Sequence, residues 1–401
     1  MKRSEYAIFS SGTIAGIKLN NRLVRSSTWD PCLFHSQQMT HEVLDLYRDL
    51  SLGGAGLIIS GGLPVYRERF PDEEADKPYR GYHELMIKGL EQMPATVHRA
   101  RQDARIIAQL EVGYLDAGPS PIVNPFTRQQ VRPLSLEEIE RIIGCFVEGI
   151  QHLQACGFDG VQLHAAHGGL LSRFLSPYSN QRMDDYGGSP KNRARIIAEI
   201  ITRARKQVGD FPIVIKMNGT DHLPDGIQIG NFPELAAEVA ACGVDAIEIS
   251  GGMWDCLLRP VEELDFRPVP APESHTRIHK PEQQSYYRKY AEALDLNIPI
   301  ILVGGNRNIE SLEAIIRQGK VDFISLCRPL IREPGLPNRW REGLGSTLSE
   351  CVSCNSCIYD MFVHPGRPEP GLVTCICKSD KDIHRKAQKW LATWRENELA
   401  H

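Results

Sequence analysis

The sequence contains a group of cysteines near its end whose spacing suits an iron–sulfur centre. Cys351, Cys354 and Cys357 form a Cys-x2-Cys-x2-Cys pattern, which can place three thiolates on three corners of a cubane. A fourth ligand must come from farther along the chain, where Cys375 is the first available and Cys377 is the alternate. Zinc sites usually contain paired Cys-x2-Cys motifs, so this pattern favours a [4Fe–4S] cluster over zinc or over thiols without a metal.

Two short segments have the residue types that bind phosphate. Gly304 and Gly305 follow one predicted strand, and Cys327 and Arg328 follow the next. Glycines let backbone N–H groups approach phosphate oxygens, and an arginine can pair with them bidentately. The alternative is that the glycines only form a tight turn. The two segments together favour a phosphate site, because barrels commonly bind phosphate in the loops after their seventh and eighth strands.

Eight short, mostly apolar runs, each ending in small or polar residues, are predicted to be buried parallel strands. They are 22–27, 56–61, 105–110, 160–165, 213–218, 246–251, 299–304 and 323–328. Helical patterns follow them at 41–52, 85–101, 135–156, 191–208, 233–242, 282–294, 309–318 and 336–344.

This alternation of strands and helices predicts a (β/α)₈ TIM barrel, an α/β fold with a short cysteine-rich C-terminal extension. Residues 156–164 resemble residues 242–250, and residues 53–60 are a looser third copy of the same helix–turn–strand unit. The competing architecture is a doubly wound open sheet. The barrel is favoured because there are eight units and no Gly-x-Gly-x-x-Gly follows the first strand. Functional residues are then expected at the carboxyl ends of the strands.

The composition excludes several classes of protein. The 401 residues are 42% hydrophobic and 24% charged, and the net charge of −4 leaves no basic footprint for nucleic acid. No apolar run is long enough to span a membrane, and residues 1–10 do not predict a secretory signal. We therefore expect a cytoplasmic protein with reduced thiols, without nucleic-acid or membrane partners. The polar, basic and glycine residues at the predicted strand ends indicate a binding face for a small-molecule substrate. A homo-oligomer is compatible with the sequence.

The segment GFDGVQLHAAHGGLLSRFLSP at residues 157–177 and its continuation NQRMDDYGGSPKNRAR at residues 180–195 resemble the signature of the old yellow enzyme family of NADH:flavin oxidoreductases. The resemblance extends over about residues 8–332. It implies an FMN that lies across the barrel mouth. Its phosphate would bind Gly304, Gly305, Cys327 and Arg328, and its flavin ring would contact Ser26, Ser27, Thr28, Gln109 and Lys216.

The same resemblance implies that His164 and His167 are catalytic and clamp the carbonyl oxygen of a substrate. Two donors at that oxygen would polarise a conjugated double bond, so that hydride from the flavin reaches its β-carbon. A metal pair or a structural pair of histidines are the alternatives, and no third metal ligand is evident nearby.

The sequence departs from the family pattern at the proton donor. The family usually has tyrosine two residues after the second histidine, where this chain has Gly169. Glycine cannot donate a proton, so another group or water must do so; the candidates are Tyr66, Tyr114 and His275. Trp29 stands where the first loop often has threonine or cysteine, and the strand 3 motif reads Gln-Leu-Glu-Val at residues 109–112. These departures leave simple enone reduction in doubt.

The cysteine run resembles the cluster segment of the trimethylamine dehydrogenase and 2,4-dienoyl-CoA reductase branch of the same family. It implies a barrel over residues 1–345, followed by an iron–sulfur segment and a C-terminal helix over residues 346–401. Those relatives continue into nucleotide-binding domains, whereas this sequence ends after a predicted helix at 381–396.

Three functions follow from these expectations. The first is an FMN and [4Fe–4S] oxidoreductase that reduces an activated double bond with electrons from NAD(P)H or an electron-transfer protein. The second is an amine dehydrogenase-like enzyme that passes electrons outward, with Trp254 or Tyr66 in an aromatic cage. The third is a non-catalytic electron-transfer subunit, which the retained histidines argue against. The long segment 253–280 after strand 6 is predicted to shape substrate choice.

Overall fold

The computed structural model describes residues 2–28, 39–65, 88–113, 117–125, 128–264, 271–362 and 372–398. Eight parallel strands close into a barrel in sequence order, with β8 paired to β1. The strands are β1 Leu23–Arg25, β2 Leu57–Pro64, β3 Arg105–Glu111, β4 Gly160–Ala165, β5 Ile213–Thr220, β6 Ile247–Gly251, β7 Ile300–Leu302 and β8 Phe323–Leu326. The predicted TIM barrel is confirmed, and each predicted strand agrees with the observed one to within a few residues.

The helices that follow the strands cover the outside of the barrel. Those within the barrel region are α1 His41–Leu52, α2 Gln92–Ala100, α3 Leu136–Ala155, α4 Leu170–Leu175, α5 Pro190–Arg193, α6 Arg195–Val208, α7 Phe232–Ala241, α8 Arg288–Glu292, α9 Ile309–Arg317, α10 Arg328–Arg332 and α11 Leu336–Arg341. The longest, α3, begins with a capping box: the Ser135 hydroxyl accepts from the Glu138 amide, and the Glu138 carboxylate accepts from the Ser135 amide.

One predicted helix is much shorter than its pattern indicated. Residues 282–294 yield only α8, preceded by a 3₁₀ turn at Pro281–Gln283. Ser285 adopts a left-handed φ of 48°, which interrupts the helix before Tyr286. The predicted helix 191–208 is divided at Ala194 into α5 and α6. The start of the predicted helix 85–101 lies outside the described residues.

The two ends of the barrel interior differ in chemistry. The amino-terminal end is apolar, and the hairpin formed by Gly12–Ile14 and Ile17–Leu19 contributes Ile14 and Leu19 to its core. Toward the carboxyl end, neighbouring strands instead place polar side chains in register, with Gln109 opposite Gln162 and Lys216 opposite both His164 and Glu248. Burial of apolar side chains therefore stabilises one end, and the other end is left for binding.

After the barrel, three helices form a compact tail. They are α12 Ser356–Phe362, α13 Ile376–Ser379 and α14 Lys381–Glu398, and they share a small apolar cluster that includes Tyr359, Ile376 and Ala387. Among the described residues, no helix combines the length and the hydropathy needed to cross a membrane. The division into a barrel over 1–345 and a cysteine segment over 346–401 stays a prediction.

Candidate functional site

A cavity of about 410 Å³ opens at the carboxyl ends of the barrel strands. Its size is that of a typical small-molecule or cofactor site. The residues predicted to bind cofactor or to act in catalysis all line this single cavity: Ser26, Ser27, Thr28, Gln109, His164, His167, Lys216, Gly304, Gly305, Cys327 and Arg328. Residues more than 300 positions apart in the sequence thus meet at one barrel mouth.

Glu248 anchors the polar floor of the cavity. Its side chain is fully buried on β6, and Oε1 accepts hydrogen bonds from Ser26 (2.8 Å) and Ser325 (2.7 Å). The Lys216 Nζ lies 3.5 Å from the same oxygen and donates to Ser26 Oγ at 2.9 Å. Since the lysine is only 4% exposed, Glu248 supplies the counter-charge that its burial requires.

The same carboxylate fixes the direction of a chain of hydrogen bonds. Gln162 Nε2 donates to Glu248 Oε2 (2.7 Å), Gln109 Nε2 donates to Gln162 Oε1 (2.7 Å), and Ser27 Oγ donates to Gln109 Oε1 (2.9 Å). A carboxylate only accepts, so each amide in this chain has a single orientation that satisfies its neighbour. The sequence reasoning missed Glu248 and Gln162. The available signal was a charged residue in the middle of an otherwise apolar buried strand.

The two histidines stand side by side at the end of β4. Their ring centroids are 5.1 Å apart, and the His167 backbone takes a left-handed φ of 60°. Asn218 Oδ1 accepts from the His167 amide (3.2 Å), and the Ser250 hydroxyl is 2.7 Å from His167 Nε2. Residues of the two neighbouring strands thus hold the His167 ring in place, and they hold its backbone in a conformation that non-glycine residues rarely adopt.

Both imidazoles are neutral at physiological pH. Burial, with a smaller contribution from the Lys216 charge, lowers the pKa of His164 to about 3. Burial, followed by the neighbouring His164 and Lys216, also holds the pKa of His167 well below its usual value. The buried His164 Nδ1 has no hydrogen-bond partner among the described residues. A neutral imidazole can donate one hydrogen bond to a ligand oxygen, but it is not an acid at neutral pH.

The glycine pair packs closely against the ring of Tyr286. Gly304 and Gly305 have φ values of 106° and 71°, and a Cβ on either would lie 2.7–2.8 Å from ring atoms of Tyr286. Arg328 reaches the same region, where its Nη1 donates to the His275 carbonyl oxygen (2.9 Å) and to Asn355 Oδ1. Only glycine permits this approach of backbone and ring. No sequence signal identified Tyr286.

The cavity wall contains two carboxyl groups that are not among the predicted site residues. Glu111 and Glu273 line the cavity, and burial raises the pKa of each to about 7. His275 stacks on Tyr286 at 4.0 Å between ring centroids and is not among the residues that line the cavity. Trp29, Tyr66 and Tyr114 lie outside the described residues. Trp254 lines the cavity, as the amine dehydrogenase hypothesis requires.

The cysteines surround a second, smaller cavity of about 90 Å³. It is lined by Cys351, Cys354, Cys357, Cys375 and Cys377. Cys354, Cys377 and His384 each place one ligand atom within 4.8 Å of the other two. This spacing also suits a single metal ion such as zinc. His384 was not predicted. Arg328, Cys351 and Cys357 line both cavities, so the two sites are adjacent.

Comparisons with known proteins identify the family of the chain. The sequence profile of the NADH:flavin oxidoreductase / NADH oxidase family matches residues 7–346. The chain is 30% identical over 360 residues to an NADH oxidase of Thermoanaerobacter brockii, and this alignment covers 87% of this chain and 52% of that protein. It is also 30% identical over 361 residues to an NADPH dehydrogenase of Geobacillus sp. (strain WCH70), covering 87% of this chain and 97% of that protein.

A solved structure of 2-naphthoyl-CoA reductase superposes with a TM-score of 0.74 at 22% identity, covering 95% of this chain and 58% of that one. At this identity the superposition supports the fold alone. The chain spans about half the length of the NADH oxidase. The family profile, which spans the whole barrel, establishes that the chain belongs to the old yellow enzyme family of NADH:flavin oxidoreductases.

Proposed function

We propose that this chain is an FMN-dependent oxidoreductase that uses NAD(P)H to reduce a double bond conjugated to a carbonyl group. One observation carries the proposal: the residues that the family resemblance assigns to FMN and to the substrate carbonyl line one cavity at the barrel mouth. The names NADH oxidase and NADPH dehydrogenase of two relatives support a nicotinamide reductant.

The cavity has donors that suit FMN. Gly304 and Gly305 line it with backbone that no side chain covers, and Arg328 supplies a positive charge for a phosphate. Lys216 would face the flavin N1 and O2, while Gln109 would hydrogen-bond the pyrimidine edge. When bound, FMN would supply hydride from its N5 atom. The hydrogen bonds that start at Glu248 hold the Gln109 amide and the Lys216 ammonium in fixed orientations.

The histidine pair would bind the substrate carbonyl. Each neutral ring can donate one N–H to the oxygen, and both rings are already held at the end of β4. Donors that are fixed before the reaction stabilise the negative charge that builds on that oxygen as the β-carbon accepts hydride. The 2-naphthoyl-CoA reductase among the structural neighbours makes a conjugated acyl-CoA thioester a suitable substrate class to test.

The second cavity suits a [4Fe–4S] cluster. We assign Cys351, Cys354, Cys357 and Cys375 as its ligands, and all four line the cavity. Such a cluster would supply one-electron transfer beside the flavin site. The alternative is zinc held by Cys354, Cys377 and His384. Iron and sulfide analysis distinguishes the two.

Turnover of purified, flavin-loaded protein tests the proposal. We expect NADH or NADPH to bleach the flavin anaerobically, and an enone or enoyl thioester to restore its colour. His164→Leu removes the donor and should lower the reduction rate of the substrate about 100-fold, whereas His164→Asn retains an N–H and should recover part of it. The control is His41→Asn, at the exposed first residue of α1. Bleaching by an amine but not by NAD(P)H would replace this function with an amine dehydrogenase.

A further inference from the structure

Position 169 has no side chain that can donate a proton, but it lies next to the end of β3. The Leu170 amide donates to the Val112 carbonyl oxygen at 2.8 Å, so the start of α4 is joined to that strand. A Cβ on Gly169 would lie 3.2 Å from the same oxygen and 3.7 Å from His164 Cδ2. A proton donor on this part of the cavity wall can therefore come from the residues around Val112.

Glu111, the last residue of β3, has its side chain in this wall. The carboxyl group lies over Gly62, where a Cβ would be 2.5 Å from Oε2. Glu111 lines the cavity together with His164, His167 and Gly169. Its side chain makes no hydrogen bond or ion pair with any other described residue.

We propose that Glu111 is the general acid that protonates the substrate α-carbon. This inference rests on the proposed function. A bound flavin would supply hydride to the β-carbon, and the π electron pair would move toward the carbonyl, whose oxygen the two histidines would hold. The Glu111 O–H bond breaks as the α-carbon–H bond forms, which leaves a carboxylate that water reprotonates. The net reaction consumes the alkene, NAD(P)H and one proton, and it yields the saturated product and NAD(P)⁺.

The two histidines are less suited to this role. His164 and His167 are neutral at physiological pH and are used at the carbonyl oxygen. Burial holds the pKa of Glu111 at about 7, so a large fraction of the carboxyl is protonated at neutral pH. The charged and titratable described residues that line the same cavity from other elements are His164, His167, Lys216, Glu273, Tyr286, Tyr287, Arg307, Cys327, Arg328, Cys351 and Cys357.

The test compares Glu111→Gln, which mimics the protonated carboxyl but cannot donate its proton, with Glu111→Asp, Glu273→Gln and the exposed control Glu137→Gln. In rapid-mixing experiments, E111Q should reoxidise with substrate about 100-fold more slowly, while its reduction by NAD(P)H is unchanged. The wild-type reoxidation rate should fall as pH rises through about 7, the E111Q rate should not, and E111D should keep the pH dependence.

Infrared spectroscopy of the protein without turnover gives an independent readout. A protonated-carboxyl band that is lost as pH rises through about 7 should be weaker in E111Q, where Glu273 still contributes to it, and should keep its full intensity in E137Q. Reoxidation of E111Q at the wild-type rate with the wild-type pH profile would overturn the assignment. So would loss of reoxidation in E273Q with E111Q unaffected. Failure of NAD(P)H to reduce the wild-type flavin would instead contradict the proposed function, which separates the two failures.

Discussion

Replacing Glu248 by glutamine should destabilise the barrel mouth, although the two side chains have nearly the same shape. The carboxylate accepts from Ser26, Ser325 and Gln162 and lies 3.5 Å from the Lys216 ammonium. Glutamine keeps one acceptor oxygen, but its NH₂ group would meet the NH₂ group of Gln162. The substitution therefore removes the negative charge beside a buried lysine. It also places two N–H donors opposite each other, so that the hydrogen bond from Gln162 is lost.

The expected loss of stability follows from the distance between Lys216 Nζ and Glu248 Oε1. Two unit charges 3.5 Å apart attract with about 5 kcal/mol at an effective dielectric constant of 20. Part of this is offset, because the carboxylate itself no longer has to be desolvated, and we expect a net loss of about 3 kcal/mol. With an unfolding entropy of about 2.1 cal/mol/K per residue over 401 residues, the melting temperature should fall by about 4 °C.

Thermal unfolding of the parent and of E248Q, followed by circular dichroism, measures this loss. The matched control is Glu140→Gln, which breaks an exposed pair with Arg203 and should cost less than about 1 kcal/mol. Flavin affinity should fall in E248Q alone, because reorienting Gln162 would reverse the Gln109 amide as well. Equal melting temperatures for E248Q and E140Q, with parental flavin affinity in both, would refute the reasoning.

Three further predictions concern the glycine pair, the histidines and the cysteines. In denaturant unfolding, Gly304→Ala should destabilise the protein by about 2 kcal/mol more than Gly319→Ala, and it should lower the flavin content. Both glycines have positive φ, but tyrosine rings crowd Gly304 and nothing crowds Gly319, so equal effects of the two substitutions would contradict this prediction. Between pH 6.5 and 3, His164 binds a proton in the unfolded chain but not in the native protein. The free energy of unfolding should therefore decrease as pH is lowered, by about 2 kcal/mol at pH 5. His164→Gln should flatten this part of the curve of unfolding free energy against pH. Cys375→Ser should lose iron while Cys377→Ser retains it; the reverse pattern would reassign the fourth ligand.

The sequence predicted the barrel and most of its rim because both depend on local pattern. Each strand is a short buried apolar run, and its carboxyl end is marked by a glycine or polar residue, as at Lys216 and Gly304. Once the strands are ordered around a barrel, their ends must share one rim, so distant residues could be placed together.

The contacts made by individual side chains could not be read in the same way. The Glu248 chain depends on which strand faces lie in register, and the packing of Tyr286 on the glycines depends on a break in the helical pattern at Ser285. Glu111 appeared in the sequence only as a departure from a family motif. Its position over Gly62 became visible once β2 and β3 were paired.

The anaerobic visible spectrum of the purified chain, combined with flavin, iron and sulfide analysis, tests the central claim most directly. We predict flavin bands over a broad cluster absorbance, with about one FMN and four irons per chain, and loss of the flavin bands when NADH or NADPH is added. A colourless protein that takes up no FMN on reconstitution would contradict the account.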